Sequence, residues 1–189
     1  MNGPFQIALS PSYVVPEELK VLRPEPLLLP GESREQYDAL QSIVLGDIAP
    51  RSAIECLLAF DVAELSWEIR RYRSLRHKLL KAFRHRAVEM ALSEIDLVGI
   101  DERTKGVARA RIAKNVLDWR VDPKSTGEID RRLLAYGFDQ TSISMEVYLQ
   151  VREQYAFFEG LIHSASFHRI SLLREISRAR SSKTVNPPQ

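Results

Sequence analysis

Between Ser52 and Ser93 the chain has neither proline nor glycine, and its apolar residues recur at steps of four and three: Ile54, Leu58, Val62, Leu65, Ile69, Tyr72, Leu79 and Phe83. Such spacing returns a side chain to one helical face on every turn, so it predicts a long amphipathic helix over 52–93. Arg76 interrupts the stripe. A helix of about 40 residues is roughly 60 Å long, and one without internal caps is the habit of a coiled coil or bundle. A second stripe, Val147, Val151, Tyr155, Phe158, Ile162, Ala165, Leu172 and Ile176, predicts a matching helix over 142–179, with Arg169 on its seam. Gly160 is its weak point, costing about 1 kcal/mol relative to alanine.

Shorter elements flank these two. Ser33 followed three residues later by Gln36 has the form of a capping box, and Tyr37, Leu40, Val44 and Ile48 make the stripe of a helix over 32–48 that ends near Gly46 and Pro50. The stretch 94–140 is less regular. Val107, Ile112, Val116 and Leu117 predict a helix around 104–117. Asp122-Pro123 and Ser125-Thr126-Gly127 predict a loop, and a short helix over 128–136 ends at Gly137. Residues 1–31 hold six of the ten prolines, so they predict an extended tail with at most one helical turn near 17–22. If that tail docks as a peptide, Leu27, Leu28 and Leu29 are the expected anchors. The polar end, 181–189 with Pro187-Pro188, predicts a second tail.

Together these elements predict an all-α fold. Two long amphipathic helices form an antiparallel coiled-coil-like hairpin with smaller capping helices, within a single helical domain over 32–180 whose cap region is 94–140. Trp67 stands one position off the long stripe, which directs it toward the first helix or a partner. The lone cysteine, Cys56, lies beside Leu57 and Leu58, so it reads as a small buried hydrophobe with an inert thiol. One cysteine forms no internal disulfide, no apolar run reaches bilayer-spanning length, and no basic n-region precedes an apolar core. The expectation is a cytoplasmic protein without a membrane partner.

Charge changes this picture at one place. The formal net charge is only +2, yet Arg70, Arg71, Arg73, Arg76, Lys78, Lys81, Arg84 and Arg86 follow one another with no acid between them, and His77 and His85 lie among them. A run of this kind fits a phosphate backbone or an acidic partner, with Arg70, Arg71, Arg73, Lys78, Lys81, Arg84 and Arg86 as the candidate contacts. It also fits a face compensated inside the molecule. If residue 52 lies near 179, the run faces Glu146, Glu153 and Glu159, while Arg169, Arg174, Arg178 and Arg180 face Glu55, Asp61 and Glu64. A weaker signal is the spacing Leu133-x3-Gly137-x5-Ile143, which matches a helix-turn-helix and would turn Ser142, Ser144 and Tyr148 toward DNA.

Chemistry-bearing motifs are missing. There is no phosphate-binding glycine loop, no dinucleotide fingerprint and no nucleophile elbow. His77, His85, His163 and His168 form no i, i+4 pair, so no metal or other cofactor is expected. Asp101-Glu102 and Asp61/Glu64 are neighbouring acids of the sort helix surfaces commonly carry.

Several short segments resemble a group of uncharacterised helical proteins from alphaproteobacteria, rhizobia and their relatives. They are Pro30-Gly31-Glu32-Ser33 through Tyr37-x2-Leu40, Ile48-Ala49-Pro50, Trp67-Glu68-Ile69-Arg70-Arg71-Tyr72-Arg73, Leu134-Ala135-Tyr136-Gly137-Phe138-Asp139 and Leu173-Arg174-Glu175-Ile176. The resemblance implies a bacterial cytoplasmic protein and brings no activity with it. The expected role is therefore a non-enzymatic interaction or scaffold protein that binds a protein partner or itself. The alternative is a nucleic-acid-associated protein using the Arg70–Arg86 face.

Overall fold

A computed structural model describes residues 17–21 and 23–185 and places them in helices and loops, with no strand among the described residues. The tail predicted over 1–31 thus lies mostly outside the described residues; of the tail predicted over 181–189, residues 181–185 instead continue the last helix, and the rest lie outside the described residues. A single turn, α1 (Glu17–Lys20), is followed by α2 (Arg34–Ile48), α3 (Ala53–Asp96), α4 (Lys105–Val121), α5 (Pro123–Ala135) and α6 (Gln140–Val185). The chain divides into two compact units. Unit 1 combines residues up to Arg73 with those from Gly160 on, and unit 2 is the continuous stretch Ser74–Glu159. Both long helices contribute residues to both units.

In unit 1, α2 starts where the capping pattern places it: the Ser33 side chain accepts a hydrogen bond from the Gln36 amide at 3.2 Å. It ends at Ala49 rather than at a glycine. Ala49 has φ 44° and ψ 66°, and its amide donates to the Leu45 carbonyl at 2.8 Å. The next helix is capped by Ser52, which accepts from the Glu55 amide at 3.3 Å, while Glu55 accepts from the Arg51 amide at 2.9 Å.

The first turns of α3 are buried on more than one side. Cys56, Ala59, Phe60 and Val62 pack with Leu45 and Ile48 of α2 and with Ile176 of α6. Ile54, expected to open the stripe, is 70% exposed instead. Beside Phe60, the wide buried face includes Cys56, Ala59 and Ala63, small residues that a search for large apolar side chains passes over. Farther along, Ile69 packs with Ile162 and Ala165. Trp67 is buried against α2, its ring edge-on to Tyr37 at 5.6 Å. The Tyr37 hydroxyl donates to Glu64 at 2.6 Å and accepts from Gln41 at 3.3 Å. Burial and the Glu64 carboxylate together push its pKa upward. Cys56 is fully buried, and that burial raises its thiol pKa.

The segment before α2 is docked, with only Leu28 of the three expected leucines half-buried. Leu27 is 81% exposed and Leu29 is exposed as well, whereas Pro26 is buried. Polar groups make the attachment: the Leu27 carbonyl accepts from Arg71, and the Glu32 carboxylate, which also accepts from the Leu29 amide at 2.8 Å, bonds Arg71.

Unit 2 has its own core, where Ala87, Val88, Ala91 and Leu92 of α3 meet Ile112 and Trp119 of α4, Leu133 of α5, and Ile143 and Val147 of α6. The predicted loop at 122–127 is instead the start of α5. Asp122 is its N-cap, accepting from the amides of Lys124 at 3.3 Å and Ser125 at 3.0 Å, and Pro123 occupies the first helical position. Two of the four apolar positions proposed for α4 face solvent: Val107 is 76% exposed and Leu117 is exposed, while Ile112 is buried and Val116 packs against the core. Trp119 donates to Asp130 at 2.8 Å and its carbonyl accepts from Thr126 at 2.6 Å, which locks α4 to α5. Gly137, with φ 88°, ends α5 as expected. The Phe138 amide reaches back to the Leu133 carbonyl at 2.9 Å, an arrangement whose left-handed residue strongly favours glycine.

Candidate functional site

The eight bases between Arg70 and Arg86 have different fates. Arg71 belongs to the packing of unit 1. Its guanidinium donates to both Glu32 oxygens at 2.8 Å, and both side chains are largely shielded from solvent. This bidentate bond, with the Leu29 amide and Trp67 also donating, holds the Glu32 carboxyl down to about 2. Arg70 bonds Gln36 at 2.7 Å and lies 5.2 Å from the centre of the Trp67 ring. Arg73 is exposed. In unit 2, Arg76 pairs with Glu159 and lies 5.4 Å from the centre of the Tyr155 ring. Arg86 lies 5.9 Å from the centre of the Phe83 ring.

The compensation expected from α6 is thus realised once in this run, at Arg76–Glu159. Glu146 instead accepts from Gln150 at 2.8 Å. Among the opposite set, Arg180 pairs with Glu55 at 2.9 Å, whereas Arg169 bonds Ser66 at 3.4 Å. Among the described residues, no carboxylate comes within ion-pair distance of Lys78, Lys81 or Arg84. Arg84 does bond the Gln140 side-chain oxygen, but an amide brings no negative charge.

Lys81 and Arg84 line a groove in unit 2. Its volume is about 370 Å³, and it is lined by His77, Leu80, Lys81 and Arg84 of α3 and by Ser144, Val147 and Tyr148 of α6. His77, Lys81 and Arg84 are four and three residues apart, so the helix brings them to one side. Leu80 and Val147 supply an apolar floor that belongs to the unit 2 core. Tyr148 is half exposed, and its ring stands edge-on to Tyr155 at 5.4 Å. Four residues on from Lys81, His85 stands edge-on to Trp119 at 5.6 Å. Burial lowers its pKa, and the positive charges of Arg120, Lys81 and Arg84 lower it further.

Two sequence signals read separately therefore converge here. The basic run supplies Lys81 and Arg84, and the helix-turn-helix spacing supplied Ser144 and Tyr148. Ser142, the third residue of that spacing, is occupied in the α6 cap, where its amide donates to Asp139 at 2.7 Å. His77 joins the groove although no motif singled it out; its signal was the four-residue step to Lys81.

Unit 1 has a groove of opposite character, about 410 Å³, lined by Asp61, Glu64 and Glu68 of α3 and by His168, Ser171 and Glu175 of α6, with Leu65 and Leu172 between them. Among the described residues, no group of three His, Cys or carboxylate side chains is arranged to hold a metal ion, and no helix is long and apolar enough to cross a membrane. Compared with known proteins, the chain matches no family model, no curated protein and no solved structure.

Proposed function

We propose that this chain is a non-enzymatic helical interaction protein, that α3 and α6 pair antiparallel within each unit, and that the cationic side of unit 2 receives an anionic partner. The pairing is supported in unit 1 by matched steps: eleven residues separate Glu55 from Ser66, and eleven separate their partners Arg180 and Arg169. In unit 2 it is supported by the Arg76–Glu159 pair and by Leu92 and Val88 sharing a core with Ile143 and Val147. A long helix pair of this kind offers extended surface for partners or for a second copy. The exposed Met145 and Leu149 of α6, one turn apart, are apolar positions available to such contacts.

The observation that carries the partner's charge is the absence, among the described residues, of any acid paired with Lys78, Lys81 and Arg84. Three neighbouring cations without counter-charges create a local potential that attracts anions and weakens with salt. The reading is tested by measuring binding of a polyanion, polyglutamate or an oligonucleotide, across a salt series. Binding that falls with salt and is lost in Lys78→Glu/Lys81→Glu/Arg84→Glu supports it; no binding of either probe at low salt refutes it.

Nucleic acid is the reading favoured by a second observation. The aromatic side chain at the rim, Tyr148, is a feature that an acidic peptide does not require. Arg71 drops out of the proposed contact set, because it already holds the Glu32 carboxylate.

A further inference from the structure

We propose that the unit 2 groove is a nucleotide site for single-stranded nucleic acid, in which Lys81 and Arg84 hold a phosphate and Tyr148 offers its exposed ring to a base. The proposal rests on the reading that this side of the protein takes an anionic partner, and it names that partner's chemistry.

Four features of the groove support it. First, Lys81 and Arg84 supply an ammonium and a planar guanidinium, the two groups best suited to phosphate oxygens, and neither is neutralised by a carboxylate among the described residues. Second, the groove joins these cations to a half-exposed aromatic ring over an apolar floor of Leu80 and Val147. That combination of a charged rim and a stacking surface is how proteins hold single strands with little regard to sequence. Third, the volume of about 370 Å³ falls at the small end of ligand sites, the scale of one nucleotide. In a duplex the base faces are stacked inside and offer Tyr148 nothing. Fourth, Tyr148 is braced by the edge of Tyr155, so its ring loses little freedom when a base lies on it.

Lys78, one turn before Lys81 and also exposed, carries positive charge beyond the groove, where the next phosphate of a strand would lie. His77 adds a third nitrogen on the same side. Lys81 and Arg84 also lower the His85 pKa, after burial, which is the larger cause, and Arg120.

The test compares a labelled oligothymidylate, a duplex of the same length, oligoglutamate and free thymidine monophosphate, using fluorescence anisotropy or calorimetry on the full chain. The expected order is single strand ahead of duplex and oligoglutamate, with the free nucleotide weak because it offers one phosphate. Tyr148→Ala is expected to weaken single-strand binding roughly tenfold while leaving its salt dependence unchanged, and Tyr148→Phe to preserve it. Lys81→Glu/Arg84→Glu removes binding, and bound oligonucleotide raises the His85 pKa in an NMR titration. Circular dichroism on each variant confirms that α-helical content is kept. If the cations prove essential but duplex or oligoglutamate binds as well as single strand and Tyr148→Ala has no effect, the nucleotide site is overturned while the anionic-partner reading survives. If only the free nucleotide binds, the strand is overturned. If nothing binds at low salt, both fall.

Discussion

The guanidinium of Arg71 and the carboxylate of Glu32 meet through two hydrogen bonds of 2.8 Å, although 39 residues separate them in the chain. Glu32 also accepts from Trp67 and from the Leu29 amide. One carboxylate therefore joins the segment before α2 to the middle of α3.

Replacing Glu32 with Gln is expected to destabilise unit 1 by about 2 kcal/mol, because Arg71 is left shielded from solvent without its counter-charge. The same group sets an acid limit. Its carboxyl lies at about 2 in the folded chain against an ordinary 4.5, so the unfolded chain takes up the proton first. The stabilisation is complete above the ordinary value and is lost as pH falls from there toward the folded one. Urea titrations at several acidic pH values check this: the wild-type midpoint should fall with pH over that interval, and the slope should flatten in Glu32→Gln.

Arg180 joins three pieces of unit 1. It bonds Glu55 at 2.9 and 3.2 Å, the Ile48 carbonyl at 2.7 Å and the Ala49 carbonyl at 3.2 Å. Glu55 is only 3% exposed. Arg180→Met removes the Arg180 guanidinium from a buried carboxylate and is expected to cost about 3 kcal/mol, measured by chemical denaturation. A double variant with Glu55→Leu should recover part of the loss, since the buried charge is then gone.

Ala49 is a non-glycine residue in the left-handed region, at φ 44°. Its Cβ opposes that conformation, and glycine removes the conflict while keeping both backbone hydrogen bonds. Ala49→Gly is expected to stabilise the protein by about 0.5–1 kcal/mol after the added freedom of the unfolded chain is counted, visible as a raised melting temperature.

His85 predicts a pH dependence local to unit 2. Its folded pKa lies below the ordinary 6.5, first through burial and then through Arg120, Lys81 and Arg84. The unfolded chain therefore binds the proton more readily, and stability falls as pH drops through the ordinary value and on toward the folded one. His85→Phe retains an aromatic ring beside Trp119 and should abolish this slope. Thermal melts between about pH 7.5 and 5.5 make the comparison.

The sequence was informative wherever one local rule acted alone. The helical periodicity, broken only at Arg76 and Arg169, located the bodies of α3 and α6, Ser33 located the start of α2, and Gly137 located the end of α5. Trp67, one step off the stripe, did turn toward α2. Rules in competition were misread. Ser125, Thr126 and Gly127 have loop composition, but Asp122 and Pro123 before them build a helix start that outweighs it. Ile54 fits a single stripe, yet the beginning of α3 buries small residues on other sides.

Long-range partners were the least legible part. The expected pairing of 52 with 179 would put Glu55 opposite 176, but Glu55 meets Arg180, four residues or about one turn beyond. Charge blocks of that length tolerate such a slip, because each exposed pair contributes little to fixing register. Nothing local distinguishes Arg71 from Arg70 or Arg73 either. Its role depends on Glu32, far away in the chain.

The division of the chain into one continuous and one split unit also sets an order of assembly. Every residue of unit 2, Ser74 to Glu159, has been synthesised before Gly160 is added, whereas the core of unit 1 cannot close until Ile162, Ala165 and Ile176 have followed. On a ribosome, the groove bearing Lys81, Arg84 and Tyr148 is thus complete in sequence while the first half of unit 1 still waits for its other half. In that interval the apolar faces of Phe60 and Ile69 have no α6 to cover them, so the growing chain is most exposed to misassociation there.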